Sequence, residues 1–313
     1  MDIFDLHCDT LYRAITEKKS LNSADMEVQL NDDPNRHKLQ CYAVWIPDEL
    51  SGDEAERLFW QASDRIVQEC DKHHISLITP GKPLRNAFCQ NMNTAFFTIE
   101  NGKALNGKIE NVAKFASAGV RMMTLTWNDR NEIGSGVLAD YPSGLTTLGK
   151  EVIRKMEKHH IVVDISHASR ALFDDVAGAT TRPFVASHSN AYSVTSHPRN
   201  LTDEQFGIIR DRGGLVGINF HNAFLNNKPE QASLNDIIRH IDYFMSLDGE
   251  DTLCFGSDFD GGILPDDIHD SHIYDKIYEV LLQNRYKENI IRKIFCENAL
   301  NFFENFDNPQ NMV

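Results

Sequence analysis

Five residues of the types that hold metal ions fall at the tails of separate apolar, strand-like runs: His7 and Asp9 in IFDLHCD, Glu100 in TAFFTIE, His167 in IVVDISH and His188 in PFVASHS. Imidazole nitrogens and carboxylate oxygens are the donors that suit zinc-like divalent ions. His7 and Asp9 stand two apart, so an extended chain turns both toward one ion while Cys8 faces away. Glu100 ends an apolar run and is followed by Asn101 and Gly102, a turn signal. A carboxylate buried there needs a partner, and either a metal or an arginine satisfies it. With two oxygens Glu100 can also bridge two ions. His167 and His188 close two consecutive strand-like runs and can share one ion. Asp164, three positions before His167, falls on the opposite face of an ideal strand and receives no ligand role. Taken singly, each residue also reads as a core histidine or a salt-bridged carboxylate; the joint pattern is what points to a binuclear centre.

Two further residues belong to the chemistry such a centre performs. Asp258 follows the last strand-like run in CFGSDFDG. A carboxylate beside an activated water can take its proton and pass it to a leaving amine. Asp260 lies two residues on, and Asp258 is preferred because it is nearer the strand end. Arg199, in SVTSHPRN after His188, carries a guanidinium able to grip a carboxylate through two parallel hydrogen bonds. Two ions sharing Glu100 would hold a hydroxide between them as nucleophile and polarise a scissile carbonyl, so metal-assisted amide hydrolysis is the expected reaction.

Side chains from so many strand tails meet only if the strands run parallel. The chain offers eight such runs: IFDLH, QCYAVWI (40–46), TAFFTIE (94–100), VRMMTLT (120–126), IVVDISH (161–167), PFVASH (183–188), LVGINF (215–220) and TLCFGS (252–257). Helical patterns alternate with them at 53–73, 145–159, 203–212 and 234–247, which is the signature of an α/β fold with parallel strands. A (β/α)8 TIM barrel of the metallo-dependent hydrolase type is expected, since such barrels build active sites from the C-terminal ends of their strands; a doubly wound open sheet is the architectural alternative. Thr202, followed by Asp203, Glu204 and Gln205, predicts a capped helix start. The glycine-rich stretch 131–144 reads as a long loop after the fourth strand, of the kind that lines a barrel active site.

No linker divides the 313 residues, so a single domain over 1–313 is expected. With 31 basic against 46 acidic residues the net charge is −15, which repels nucleic acid and anionic lipid. The start, MDIFDLHCDTLYR, has no basic region, apolar stretch or cleavage site of a secretory signal, and no run is long and apolar enough to span a bilayer, so a cytoplasmic protein is expected. The six cysteines are scattered without a C-x-x-C pair and read as buried free thiols. His73, His74, His159 and His160 end predicted helices, where a positive side chain suits the dipole, and are not read as ligands.

The chain resembles the membrane dipeptidase (renal dipeptidase-like) zinc peptidases of the amidohydrolase superfamily. DLHCDTL, GLTTLGKEVIRKMEKHHIVVDISHAS, VASHSNAY, RNLTDEQ and GSDFDG carry the resemblance in the family's order. It implies two zinc ions per chain, one held by His7, Asp9 and Glu100 and the other by Glu100, His167 and His188. It further implies proton handling by Asp258, capture of the substrate's C-terminal carboxylate by Arg199, a homodimer, and dipeptide substrates, often with a D-residue second. Trp127 stands where animal members carry a substrate-contacting histidine; its N–H donates but cannot accept a proton, so any help to a developing oxyanion is altered. Asn101 stands where a glycine often follows the glutamate. The alternative function is a binuclear amidohydrolase acting on another small amide or lactone, which the same ligands would serve.

Overall fold

The computed structural model describes residues 1–30 and 35–307. The last six positions of the domain expected over 1–313 lie outside the described residues. Among the described residues nine parallel strands are present: β1 Ile3–Cys8, β2 Lys38–Trp45, β3 Ser76–Leu77, β4 Asn93–Glu100, β5 Val120–Thr124, β6 Val162–Asp164, β7 Val185–Ala186, β8 Leu215–Ile218 and β9 Leu253–Phe255. They run in the order β2-β1-β9-β8-β7-β6-β5-β4-β3, and β2 also pairs with β4 along its whole length, from Lys38↔Asn93 to Trp45↔Glu100. That pairing closes β1, β2 and β4 to β9 into the expected (β/α)8 barrel and sets the open sheet aside. The two-residue β3 adds to the start of β4 outside the ring, at Ser76↔Thr94 and Leu77↔Ala95.

Both faces of the barrel are apolar, as parallel strands covered on both sides require. All eight ring strands feed one inner cluster, including Phe4, Leu39, Phe96, Met122, Val162, Val185, Leu215 and Cys254. Leu300, Phe303 and Phe306 of the C-terminal helix Asn298–Asp307 join it and plug one end. There Arg121 is fully buried, pairs with Asp307 through two hydrogen bonds of 3.0 and 2.8 Å, and lies 5.0 Å from the Phe96 ring centre. A second cluster fills the space between the strands and the surrounding helices. The helix Gly52–His73 shows why: Ala55, Phe59, Ala62, Ile66 and Cys70 recur every three or four residues and form its buried stripe.

Local signals behave as their chemistry dictates. Thr202 and Gln205 form a reciprocal capping box at the start of the helix Asp203–Asp211. Five cysteines are buried free thiols, whereas Cys89 is exposed. His73 ends its helix and pairs with Glu69 at 3.3 Å, while His74 and His159 occupy C-cap positions. Among the described residues, no helix is long and apolar enough to cross a membrane.

One expectation needs correcting: His167 and His188 do not end their strands. β6 stops at Asp164 and β7 at Ala186, three and two residues earlier. The cause is Asp164, whose Oδ1 accepts from the backbone N–H of Ser166 and of Ser187, at 3.0 and 2.9 Å. A side chain that takes these donors draws the backbone out of the ladder. Both histidines therefore sit on loops braced by a carboxylate beneath them.

Candidate active site

The strand tails and the loops after them do converge. His7 at the end of β1, Asp9 at the helix start that follows, Glu100 at the end of β4, and His167, His188, Arg199 and Asp258 on later loops are all buried at one mouth of the barrel. Asp9, Glu100, His167, Arg199 and Asp258 line a cavity of about 380 Å³, and His7 and His188 pack against Glu100. Glu100 stands at the centre. Its Oε2 lies 3.7 Å from Nε2 of His7, and its Oε1 lies 2.9 Å from Nε2 of His167 and 3.6 Å from Nε2 of His188. The His7 Nε2 is also 3.4 Å from Asp9 Oδ2 and 3.8 Å from Asp258 Oδ1. His7, Glu100 and His188 thus offer donor atoms all within 4.8 Å of one another, as do His7, Asp9 and Asp258. Asp258 stands as near His7 as Glu100 does, which the sequence did not indicate.

Neighbours fix which nitrogens are free. Ser187 Oγ is 2.5 Å from Asp164 Oδ2 and 2.7 Å from Nδ1 of His188. Its single hydrogen goes to the carboxylate, so it accepts from His188 Nδ1–H. Asn128 Oδ1 lies 2.9 Å from His167 Nδ1 and accepts from it. Each neutral ring carries one hydrogen, so both Nε2 atoms present lone pairs, 3.1 Å apart. Two lone pairs at that distance repel unless a cation lies against them. Nε2 of His7 and Oδ1 of Asp9 are buried without a hydrogen-bond partner among the described residues. Three carboxylates with such orphaned donors fit a divalent-cation centre, because a buried charge left unpaired is costly.

The electrostatics show the same demand for positive charge. Burial opposes protonation of His7, but Glu100, Asp9 and Asp258 outweigh it and push its pKa up to about 10. Burial, reinforced by Asp9, drives the Glu100 carboxyl well above the usual range. Burial also pushes Asp258 up to about 6, against the pull of His7. His167 and His188 are held well below the usual imidazole value by burial and by Arg199 and His7. A proton on His7 stands in for the cation that the carboxylates call for.

Asp258 and Asp260 separate cleanly in space. Asp260 is consumed by Arg13 at 2.7 Å and Thr10 Oγ1 at 2.5 Å, whereas Asp258 accepts at Oδ2 from Asn219 at 3.0 Å and leaves Oδ1 toward the floor. Arg199 donates to the His188 carbonyl at 3.2 Å, and its Nε has no partner among the described residues. Burial lowers its pKa to about 10, so it stays charged at neutral pH. Trp127 lines the cavity, edge-on to Trp45 at 4.8 Å, and Trp45 is edge-on to Tyr12 at 4.9 Å.

Sequence reasoning missed Asn128, Ser187, Asn219, Tyr12 and Trp45. Ser187 and Asn128 each adjoin a residue already singled out, which was the available signal; the contacts of Asn219 run to loops after the two neighbouring strands and leave none. Asn101 shows why asparagine replaces glycine. Its φ is 82°, a region that favours glycine, but its amide donates to the Ile46 carbonyl and Asp48 and accepts from Asn131 at 2.9 Å. These bonds hold neighbouring loops beside Glu100.

Known proteins share this fold. A crystal structure of a metallopeptidase from Rhodobacter sphaeroides, liganded with a phosphinate mimic of the dipeptide L-Ala-D-Ala, superimposes with a TM-score of 0.88 at 23% identity, covering 97% of this chain and 99% of that one. A second metallopeptidase structure, dipeptidase AC, gives 0.89 at 24% identity over 97% and 98% of the two chains. An uncharacterized protein in the pqqA 5' region of Klebsiella pneumoniae is 38% identical over 216 residues, 66% of this chain and 80% of its own. The family model described as membrane dipeptidase (peptidase family M19) matches residues 1–312. With that match spanning the barrel and every residue at its mouth, the chain belongs to the membrane dipeptidase family and is a metal-dependent hydrolase of the dipeptidase type.

Proposed function

We propose that this chain is a two-zinc dipeptidase, a single domain over 1–313, in which His7, Asp9 and Glu100 hold one ion and Glu100, His167 and His188 the other. The observation that carries the reading is Glu100: one carboxylate oxygen faces His7 and the other faces His167 and His188. When bound, such a pair of ions polarises the scissile carbonyl and activates the attacking water. The chain's own residues supply the rest. Asp258 Oδ1 takes the proton that the water gives up and returns it to the departing amine nitrogen, while Asn219 steadies the other oxygen. Arg199, charged and with Nε unpartnered among the described residues, holds the substrate's C-terminal carboxylate and fixes the register of the peptide bond. Trp127 bounds the substrate cavity with Trp45 and donates but cannot accept there.

The L-Ala-D-Ala mimic bound to the Rhodobacter sphaeroides relative supports dipeptides, including L,D-dipeptides, as the substrate class. A cytoplasmic location and a homodimer complete the proposal; light scattering of the purified chain tests the latter. The main experiment is a hydrolysis screen of zinc-loaded protein against L,L- and L,D-dipeptides beside N-acyl amino acids and lactones. Cleavage of dipeptides at rates well above the other classes is expected. Preferential cleavage of a lactone or N-acyl amide would replace the reading with a general amidohydrolase.

A further inference from the structure

His167 is held in an unfavourable backbone conformation, with φ of 67°. A non-glycine residue stays there only where its surroundings hold it. One loop does so from two sides. Val137 N donates to the His167 carbonyl at 2.8 Å, and Gly136 bridges Ala168. From the other arm of the same loop, Asn128 Oδ1 takes the hydrogen on His167 Nδ1 at 2.9 Å. Leu138 N donates to the Asn128 carbonyl at 2.9 Å and joins the two arms. Gly136 lets them close, because a Cβ there would lie 2.1 Å from the Trp127 carbonyl oxygen.

The bond to Asn128 decides between two tautomers. With the hydrogen on Nδ1, Nε2 offers its lone pair. With the hydrogen on Nε2, the ring would donate to Glu100 Oε1, which is only 2.9 Å away, and that lone pair would be lost. The second arrangement is a ready competitor. Trp127, Asn128, Leu138 and His167 all line the same cavity.

We infer that Asn128 is a positioning residue for His167: it sets the tautomer and ring angle of the nitrogen facing Glu100, and it ties that nitrogen to the loop that walls the substrate cavity. The inference rests on the two-zinc reading above. An outer partner of a ligating histidine fixes the proton and the ring, and its removal typically weakens metal binding by roughly 10- to 100-fold.

The test is zinc titration of the full chain against a competing chelator, with the wild type, Asn128→Ala and Asn128→Asp, alongside thermal unfolding of each metal-free protein. Asn128→Ala should weaken one of the two sites by about 10- to 100-fold and leave the other near the wild-type value. Asn128→Asp, which keeps an acceptor oxygen at the same reach, should restore the weakened site. Unchanged affinities at two wild-type-like sites overturn the inference alone. So does equal weakening of both sites with a lower melting temperature of the metal-free protein, or failure of the aspartate to restore binding. A wild type that takes up only one ion overturns the two-zinc reading and this inference with it.

Discussion

His167 and His188 bring their Nε2 atoms within 3.1 Å of each other while the Nδ1 of each is held from behind, by Asn128 and by Ser187. Two imidazoles so braced cannot turn a hydrogen toward one another without giving up a buried bond. On the two-ion reading proposed above, the barrel mouth is built to receive cations, and Glu100 reaches both sides of it.

Asp258→Asn should keep the metal content near that of the wild type and lower kcat by on the order of 10² to 10⁴. Burial places the Asp258 carboxyl at about 6. A base must be ionised to accept a proton, so kcat/KM of the wild type should rise as pH increases through about 6 and then level off. The pH–rate profile checks the limb, which should vanish in the variant. Wild-type turnover by Asp258→Asn would move proton transfer to another group.

Arg199→Lys should raise KM for dipeptides by on the order of tenfold, since lysine cannot reproduce the guanidinium's two-pronged geometry. An amidated dipeptide should already be a poor substrate of the unmodified enzyme, and the variant should discriminate less between the free and amidated forms. Steady-state kinetics on the matched pair decide it. Equal cleavage of both by the wild type would remove carboxylate recognition from the account.

Asn101→Ala should destabilise the protein more than Asn101→Gly, by about 1 kcal/mol, as measured by denaturant unfolding. Both variants lose the bonds to Ile46, Asp48 and Asn131, but only alanine also keeps a Cβ at a φ of 82°. Equal losses would mean that the hydrogen bonds alone matter there.

Glu27 offers a test away from the catalytic floor. Burial pushes its carboxyl up to about 7, with the adjacent Asp260 charge adding to the effect. Between the unfolded carboxyl value near 4.5 and about 7, the folded chain holds the proton more tightly, so this group's contribution to stability falls as pH rises. Glu27→Gln should therefore gain stability over the wild type at pH 8, by on the order of 1–3 kcal/mol, and show little gain at pH 4. Unfolding curves at the two pH values check the sign. A gain of equal size at both would assign it to packing instead.

Much of this architecture was legible in the residues. Eight apolar runs became the eight strands of the ring because strands covered on both faces must be apolar throughout, and Thr202 capped its helix as its neighbours required. His7, Asp9, Glu100, His167 and His188 gather because the strand tails of a parallel barrel and the loops that follow them share one mouth. The short ends of β6 and β7 were not legible, since they depend on Asp164 capturing two backbone donors from different loops. Asn128, Asn219 and Ser187 escaped for a similar reason: the first two act through contacts 39 residues away in sequence and Ser187 through its immediate neighbour, and neither spacing has a periodic signature. Asp164, set aside as a ligand, braces the ligand candidates instead.

The most direct test is the zinc content of metal-replete protein, measured by elemental analysis for the wild type and for Glu100→Gln. The account predicts two ions per wild-type chain, and a variant that loses occupancy at both positions because the neutral amide no longer offsets two cations. A fully active wild type holding one ion, or a Glu100→Gln protein that keeps two, would contradict it.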